Sequence, residues 1–368
     1  MTLFDTLARH GHEQVVFCHN PETGLRAIVA IHDTTLGPAL GGLRMWPYED
    51  EGAALTDVLR LSRGMTYKNA LAGLDHGGGK AVIIGDPRRD KNEALMRSFG
   101  RFLESLGGRY ITAEDVGMTE TDMERIRGET DWVVGNSTVL GGSGDPSPFT
   151  AQGTVAGIRA SLRERFCREE IGDFTYAVQG LGHVGMDIVR RLCEHDARVH
   201  VTDVDDDSVQ RAVDEYGCTA VAPEAIYDVD AEVFVPCALG GVLNAETIPR
   251  LRCQIVAGAA NNQRADDAAG DAVHERGIVY APDYAINAGG VMNVSLELEG
   301  YSRERAHAMV ERIEQTLTDI FERARGEGIP TWRAADRLAE HRIASMARVR
   351  SSAPATPAQT GTRRASCG

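Results

Sequence analysis

The sequence contains little that would anchor, export or cross-link it. No uninterrupted apolar run approaches the roughly 20 residues of a membrane span, and Met1 to Glu13 carries acids and histidines where a secretion signal has an apolar centre. The seven cysteines, at 18, 167, 193, 218, 237, 253 and 367, include no CxxC pair and are odd in number. They predict neither a metal site nor a disulfide framework. Several lie in apolar stretches, as small core residues do, so the expected setting is a reducing cytoplasm. Positive charge is also short. Lys and Arg total 39 against 54 Asp and Glu, a net charge of -15, which argues against nucleic acid or an anionic membrane as partner. At 368 residues, 42% hydrophobic and 25% charged, the chain is ordinary globular material too long for one core, and two domains are expected.

What is present centres on the stretch from Val58 to Ile84. Val58, Leu61, Met65, Lys68 and Ala72 are spaced as one helical face, which places Lys68 on the inward side. His76-Gly77-Gly78-Gly79-Lys80 follows, then Ala81-Val82-Ile83-Ile84, which reads as a buried strand with Lys80 at its mouth. Two lysines brought together in a partly buried site repel, and burial disfavours their charge, so at least one should have a lowered pKa. Such a lysine serves as a base or a polariser of a carbonyl. Spacing alone leaves open that Lys68 snorkels from a helix edge and that the glycines form a tight loop.

Before this stretch, Gln14 to Cys18 and Leu25 to Ile31 read as a hairpin, and Leu36 to Arg44 as a glycine-rich loop hard to pack as a regular element. After it, Lys91 to Leu106 reads as a helix and Tyr110 to Thr112 as a short strand ending at Glu114-Asp115. A carboxylate beside two lysines would be held ionised or trade protons with a reacting group. Residue chemistry does not choose between Glu114 and Asp115.

Gly141 to Pro148 reads as a linker and helix start. Then Gly180-Leu181-Gly182-His183-Val184-Gly185 matches GxGxxG in its confirming context, with a strand before it (Phe174 to Gln179), an amphipathic helix after it, and a second strand, Val199 to Thr202, ending in Asp203. The glycines admit a pyrophosphate to a helix N-terminus, and Asp203 is placed for ribose hydroxyls. Asp205, Asp206 and Asp207 would leave a 2′-phosphate among carboxylates, so NAD is expected rather than NADP. Further short strands, Glu232 to Cys237, Gln254 to Gly258 and Ile278 to Ala281, complete a doubly wound parallel sheet. A long helical region opens at Ala288, breaks at Gly326 to Pro330, and resumes in a last helix.

Four segments together, Gly41-Gly42-Leu43-Arg44, Met65-Thr66-Tyr67-Lys68, Gly77-Gly78-Gly79-Lys80 and Thr112-Ala113-Glu114-Asp115-Val116-Gly117, resemble the signature of the leucine, valine and phenylalanine dehydrogenases within the wider glutamate dehydrogenase superfamily. The resemblance runs from about Gly11 to about Met346. It implies an α/β protein of two domains with a catalytic cleft between them: an N-terminal substrate and oligomerisation domain over 1–140, a Rossmann NAD domain over 141–331, and a helix over about 332–350 that returns to the first. The tail, 351–368, lacks periodicity and is expected to be disordered.

The implied reaction is reversible oxidative deamination of an L-amino acid to a 2-oxo acid and ammonia, by a homo-oligomer. Lys80 and Asp115 are implied as catalytic. Lys68, Gly41, Gly42 and Asn262 are implied to bind substrate, within side-chain walls of Leu40, Met65, Ala113, Val291 and Val294. Thr150, Gly180 to Gly185, Asp203, Ala238, Ala260 and Asn262 are implied to bind the cofactor. Glutamate dehydrogenases carry a lysine where Met65 stands and a hydroxyl where Val294 stands. Phenylalanine enzymes tend to have Gly at Ala113 and Leu at Val294. Valine, leucine and isoleucine are therefore the expected substrates, with an aromatic amino acid dehydrogenase, or an NAD-binding sensor with a decayed site, as the alternatives.

Overall fold

The computed structural model describes residues 3–352, and the fold follows two separate hydrogen-bonded sheets. After a short helix, α1 (Leu3–His10), the first sheet begins with β1 (Gln14–Asn20) and β2 (Leu25–Asp33), antiparallel and joined by the expected hairpin. It adds β3 (Ala39–Trp46), β4 (Gly77–Ile84) and β5 (Tyr110–Glu114), giving the order β1-β2-β4-β3-β5. Between these strands run α2 (Glu51–Leu71) and α3 (Glu93–Glu104), and α4 (Glu120–Arg127) follows.

Side-chain alternation splits this sheet into two faces. Leu43, Met45, Ala81, Ile83 and Tyr110 face α3 and α4, closing a core with Phe99, Leu103, Met123 and Ile126. On the opposite face Val82 packs against Ala54, Val58 and Leu59 of α2. Gly42, Arg44 and Lys80 fall on that second face, beyond the cover α2 provides. It is there that the sheet is open to chemistry.

Two expectations are corrected. The run Gly77–Gly79 is not a connection but the first half of β4, and Leu36 to Arg44 is mostly strand β3. Lys80 therefore stands in mid-strand, opposite Ala30 of β2, and not at a strand mouth. Close approach explains the glycines: a Cβ on Gly41 would lie 1.9 Å from the Gly79 carbonyl oxygen, and one on Gly78 2.1 Å from the backbone N of Thr66 on α2. The face of α2 that carries Leu61, Met65 and Lys68 likewise lines the cleft, while Val58, Ser62, Thr66 and Asn69 take the buried side.

The second sheet is wholly parallel, in the order β11-β10-β9-β6-β7-β8. Helix α5 (Ser147–Phe166) leads into β6 (Thr175–Gln179), α6 (His183–Cys193), β7 (Arg198–Thr202), α7 (Asp206–Tyr216) and β8 (Thr219–Ala220). Then come β9 (Val233–Pro236), β10 (Ile255–Val256), α8 (Asp267–Glu275), β11 (Val279–Tyr280), α9 (Asp283–Ile286) and α10 (Gly289–Ser295). Its largest core lies between the sheet and α5, α6, α10 and α11 (Arg303–Glu327), with Ile158, Ile188, Val235, Ile286 and Leu317 fully buried.

The last helix, α12 (Thr331–Ser352), packs on both α11 and α2. Its Arg342 donates to the carbonyls of Ala70 (2.9 Å) and Leu74 (2.8 Å) and pairs with Asp75, closing the C-terminal end of α2. The helix includes Ser351 and Ser352, two residues assigned above to the tail, whose remainder, 353–368, lies outside the described residues.

Candidate active site

The cleft between the two sheets, about 610 Å³, is where the chemistry-bearing residues meet. Lys80 projects into it from β4, nearly dehydrated, with 6% of its side chain exposed. Its Nζ lies 3.0 Å from Asp115 Oδ2, just beyond β5. The same oxygen accepts from Arg44 Nε at 3.0 Å, and Arg44 in turn pairs through Nη1 with Asp57, which also accepts from the Tyr48 hydroxyl. A buried ammonium without a partner would cost several kcal/mol, and Asp115 is that partner. Burial pushes the Asp115 carboxyl up, but Lys80 and Arg44 together outweigh it and hold its pKa below the ordinary value.

The strand register separates the two carboxylates that sequence left undecided. Asp115 falls on the Lys80 side, whereas Glu114 points toward Asp145, Glu120 and Asp122 and has its pKa raised, by burial first and then by those acids.

Backbone geometry at this spot depends on glycine. A Cβ on Gly42 would lie 2.8 Å from the Asp115 Cβ and 3.1 Å from Lys80 Nζ, so a side chain there would displace the ion pair. The Tyr110 hydroxyl donates to the Gly41 carbonyl (2.8 Å) from the far face and pins the strand.

Lys68 approaches from α2. Its pKa is lowered to about 8, chiefly by burial in the cleft and further by Lys80, with Asp283 and Asp115 opposing. The expectation that at least one lysine of the pair is perturbed is met here. Lys68 Nζ reaches Asn261 Oδ1 on the second sheet's side at 3.4 Å, and Asn287 Nδ2 donates to the same oxygen at 2.8 Å. Asn261 is thus the carboxamide that Lys68 bonds in the cleft. Asn262 also lines the cleft, in a left-handed backbone conformation (φ 52°), with its carbonyl accepting from Gly241.

Next to these charges the wall turns apolar. Leu40, Ile111, Val134 and Val294 form one buried cluster, with Ala113 and Val291 packed against it, and Met65 reaches the same space from α2. Every expected wall residue is brought together. Glu297, unmarked in the sequence reading, gathers the backbone N–H groups of Gly135 and Ser143 at 3.0 and 2.7 Å, which fastens the 135–143 segment beside Val294.

The dinucleotide fingerprint sits at the carboxyl ends of β6 and β7. Gly180 has φ +100°, and a Cβ there would strike the Ala238 backbone at 2.7 Å; a Cβ on Gly185 would strike the Gly180 carbonyl at 2.0 Å. At Gly182 a Cβ would meet nothing within 4 Å, so the space over the loop is open. Gly182 caps α6 without a side-chain hydrogen bond, leaving first-turn N–H groups of Val184 and its neighbours to an anion. Asp203 accepts from the Leu181 and Asp205 backbone N–H groups, which orients its carboxylate at the strand end. These features fit a dinucleotide. Thr150 and Val184 line the cleft itself, Ala238 abuts Gly180, and Ala260 is buried behind them.

Fold and cleft together define a two-domain, NAD-dependent dehydrogenase. Comparison with known proteins narrows this. Residues 12–132 match the dimerisation domain of the Glu/Leu/Phe/Val dehydrogenases, and residues 203–353 match the Glutamate/Leucine/Phenylalanine/Valine dehydrogenase domain. A leucine dehydrogenase of Geobacillus stearothermophilus is 54% identical over 351 residues, 95% of this chain and 96% of that one. An L-tryptophan dehydrogenase of Nostoc punctiforme is 49% identical over 354 residues, 96% and 99% of the two chains. The crystal structure of L-tryptophan dehydrogenase from Nostoc punctiforme superposes with a TM-score of 0.82 at 46% identity, covering 94% of this chain and 99% of that one. The chain belongs to the Glu/Leu/Phe/Val dehydrogenase family.

Proposed function

We propose that the protein catalyses NAD-dependent, reversible oxidative deamination of a branched-chain aliphatic L-amino acid, valine, leucine or isoleucine, to its 2-oxo acid and ammonia. The observation that carries this reading is the abutment of an apolar side-chain pocket on a cluster of two lysines and an aspartate. The ammonium of Lys68 holds the substrate α-carboxylate as a point charge. Lys80 polarises the carbonyl and activates the water that adds to the α-carbon. Lys80 Nζ and Arg44 Nε both bond Asp115 Oδ2, so Oδ1 is the oxygen assigned to the amine, where it moves protons as the carbinolamine forms and collapses. NAD, held by Gly180 to Gly185, Asp203, Thr150, Ala238, Ala260 and Asn262, supplies the hydride acceptor. Closure of the cleft excludes water from the transfer.

Specificity follows from what the pocket leaves unpaired. A γ-carboxylate enclosed by Leu40, Met65, Ala113, Val291 and Val294 would lose its hydration with no partner, which disfavours glutamate. The dimerisation domain recognised over residues 12–132 supports a homo-oligomer, and the free cysteines among the described residues support a reducing, cytoplasmic setting.

The test is NADH formation at alkaline pH by purified protein with NAD and a panel of L-valine, L-leucine, L-isoleucine, L-phenylalanine, L-tryptophan and L-glutamate. Turnover led by the branched aliphatic acids is expected. Turnover led by an aromatic acid would overturn the pocket argument and keep the mechanism, silence across the panel would favour a decayed NAD sensor, and an equal rate with NADP would overturn the role given to Asp203.

A further inference from the structure

Away from the cleft, in the half of the second sheet that carries Asp203, two cysteines face each other. Cys193 is the last residue of α6, and Cys218 lies between α7 and β8; their Sγ atoms are 3.9 Å apart although 25 residues separate them in sequence. Neither belongs to the dinucleotide loop or to any wall of the cleft.

Three observations bear on what this pair can do. Cys218 is buried in the main core of this domain, whereas Cys193 is partly open to solvent and packs against that core. One sulfur can thus meet a small oxidant while the other stays shielded. Each cysteine also sits at a joint of the backbone. After Cys193 the chain turns through Asp196, left-handed at φ 60°, and Cys218 follows Gly217, the left-handed cap of α7 at φ 69°. Closing the sulfurs to the roughly 2.05 Å of a disulfide then asks for movement at two turns rather than inside a helix or strand. The hydrogen bond between the sulfurs is asymmetric in effect. It lowers the Cys193 pKa against the opposing push of burial, and it raises that of Cys218, with burial adding to the rise. By contrast, burial pushes the thiols of Cys18, Cys237 and Cys253 up, to about 11 for the first and about 12 for the others.

We propose that Cys193 and Cys218 form a peroxide-reactive thiol pair that closes to a reversible disulfide across the nucleotide-binding half of the molecule. In the first step the Cys193 thiolate attacks hydrogen peroxide. A sulfur–oxygen bond forms, the oxygen–oxygen bond breaks, and the leaving hydroxide takes a proton to become water. In the second step the Cys218 sulfur attacks Cys193. The sulfur–sulfur bond forms, the sulfur–oxygen bond breaks, and the departing hydroxide leaves as water with the Cys218 proton. Two thiols lose two electrons in total, and one peroxide becomes two waters. The closed loop contains β7 and α7, so the disulfide restrains the unfolded chain over the segment that bears Asp203. It leaves Lys68, Lys80 and Asp115 untouched. The inference is independent of the substrate reading, since its readouts are chemical and thermal.

The experiment treats the full-length protein with a small molar excess of hydrogen peroxide, quenches free thiols by alkylation, and maps peptides by mass spectrometry without reduction. The expected result is a cross-linked peptide joining Cys193 to Cys218, lighter than its parts by two hydrogens and released by dithiothreitol, with a melting temperature raised by roughly 5–10 °C until reductant is added. In Cys218→Ser the first step has no resolving partner, and a dimedone adduct should accumulate on Cys193. Two results would overturn the proposal: both cysteines recovered alkylated while exposed Cys167 is oxidised, or Cys193 driven to sulfinic acid without any cross-link. A cross-link that forms but lowers the melting temperature would overturn the stapling role.

Discussion

The charge on Lys68 titrates within the range of an ordinary enzyme assay, which makes the hold on a substrate carboxylate proposed for it measurable. Its pKa of about 8 reflects burial first, then the balance of Lys80 against Asp283 and Asp115. Below that pH the free enzyme presents a cation, and above it a neutral amine. A bound carboxylate favours the charged form and raises the pKa in the complex, so the titration shows in affinity. A charge-assisted hydrogen bond contributes about 1.5–3 kcal/mol net, which is about 10- to 150-fold in a dissociation constant. The inhibition constant of isocaproate, a carboxylate with the leucine skeleton and no reacting group, should therefore be flat below about pH 7.5, rise toward tenfold per pH unit above about 8, and level off after that total change. Inhibition of leucine turnover over a pH series provides the assay. Lys68→Arg supplies the control, because a guanidinium stays charged throughout and its profile should be flat. A wild-type profile that tracks Lys68→Arg well above pH 8 would refute the assignment of Lys68 to the carboxylate.

Other perturbations address the remaining parts of the site. In Lys80→Ala, NAD binding measured by calorimetry should persist while kcat for deamination falls by about 10²- to 10⁴-fold, and near-normal turnover would remove Lys80 from the chemistry. The double change Ala113→Gly with Val294→Leu should move the ratio of phenylalanine to leucine kcat/KM by about 10-fold or more toward phenylalanine, since it relocates the free space along the wall without enlarging the pocket and a misfit of one methylene is worth about 1–3 kcal/mol; an unchanged ratio would place specificity elsewhere. Gly78→Ala sets a methyl 2.1 Å from Thr66 on α2 and should cost about 1–3 kcal/mol through overpacking, visible as a lowered melting temperature.

How far the sequence revealed this molecule depended on whether side chains carried the pattern. The hairpin of β1 and β2, the amphipathic α3, and the run from β6 through the glycine fingerprint to Asp203 were legible because alternation or helical spacing marks each one. Strand β3 and the first half of β4 carry no such mark and read from sequence as loops. Three glycines in a row leave no alternation to see, and what makes them a strand is the nearness of Thr66, Tyr110 and the neighbouring backbone, a tertiary fact. The same blindness shifted Lys80 from mid-strand to a mouth. Lys68 was placed on the correct helical face, but whether an apolar face meets the core or a cleft is not written in its spacing. Arg44 lies 71 residues from Asp115, and Asn261 lies 193 from Lys68. No local signal joins such pairs, although a guanidinium two positions after Gly42 on a strand so short of side chains was a clue.

The bonds from Arg342 to the end of α2 carry a consequence for how the chain is made. Synthesis runs from the N-terminus, and the first sheet leaves the ribosome long before α12 exists. Until residue 342 emerges, the last turn of α2 keeps its local backbone partners, with the N–H groups of Ala72, Gly73 and Leu74 on the carbonyls of Lys68, Ala70 and Asn69, but the second acceptor sites there and the Leu74 carbonyl have water in place of the arginine. Residues far apart in the chain thus complete the end of one helix between them, and a nascent chain that already holds every residue lining the cleft still lacks that closure.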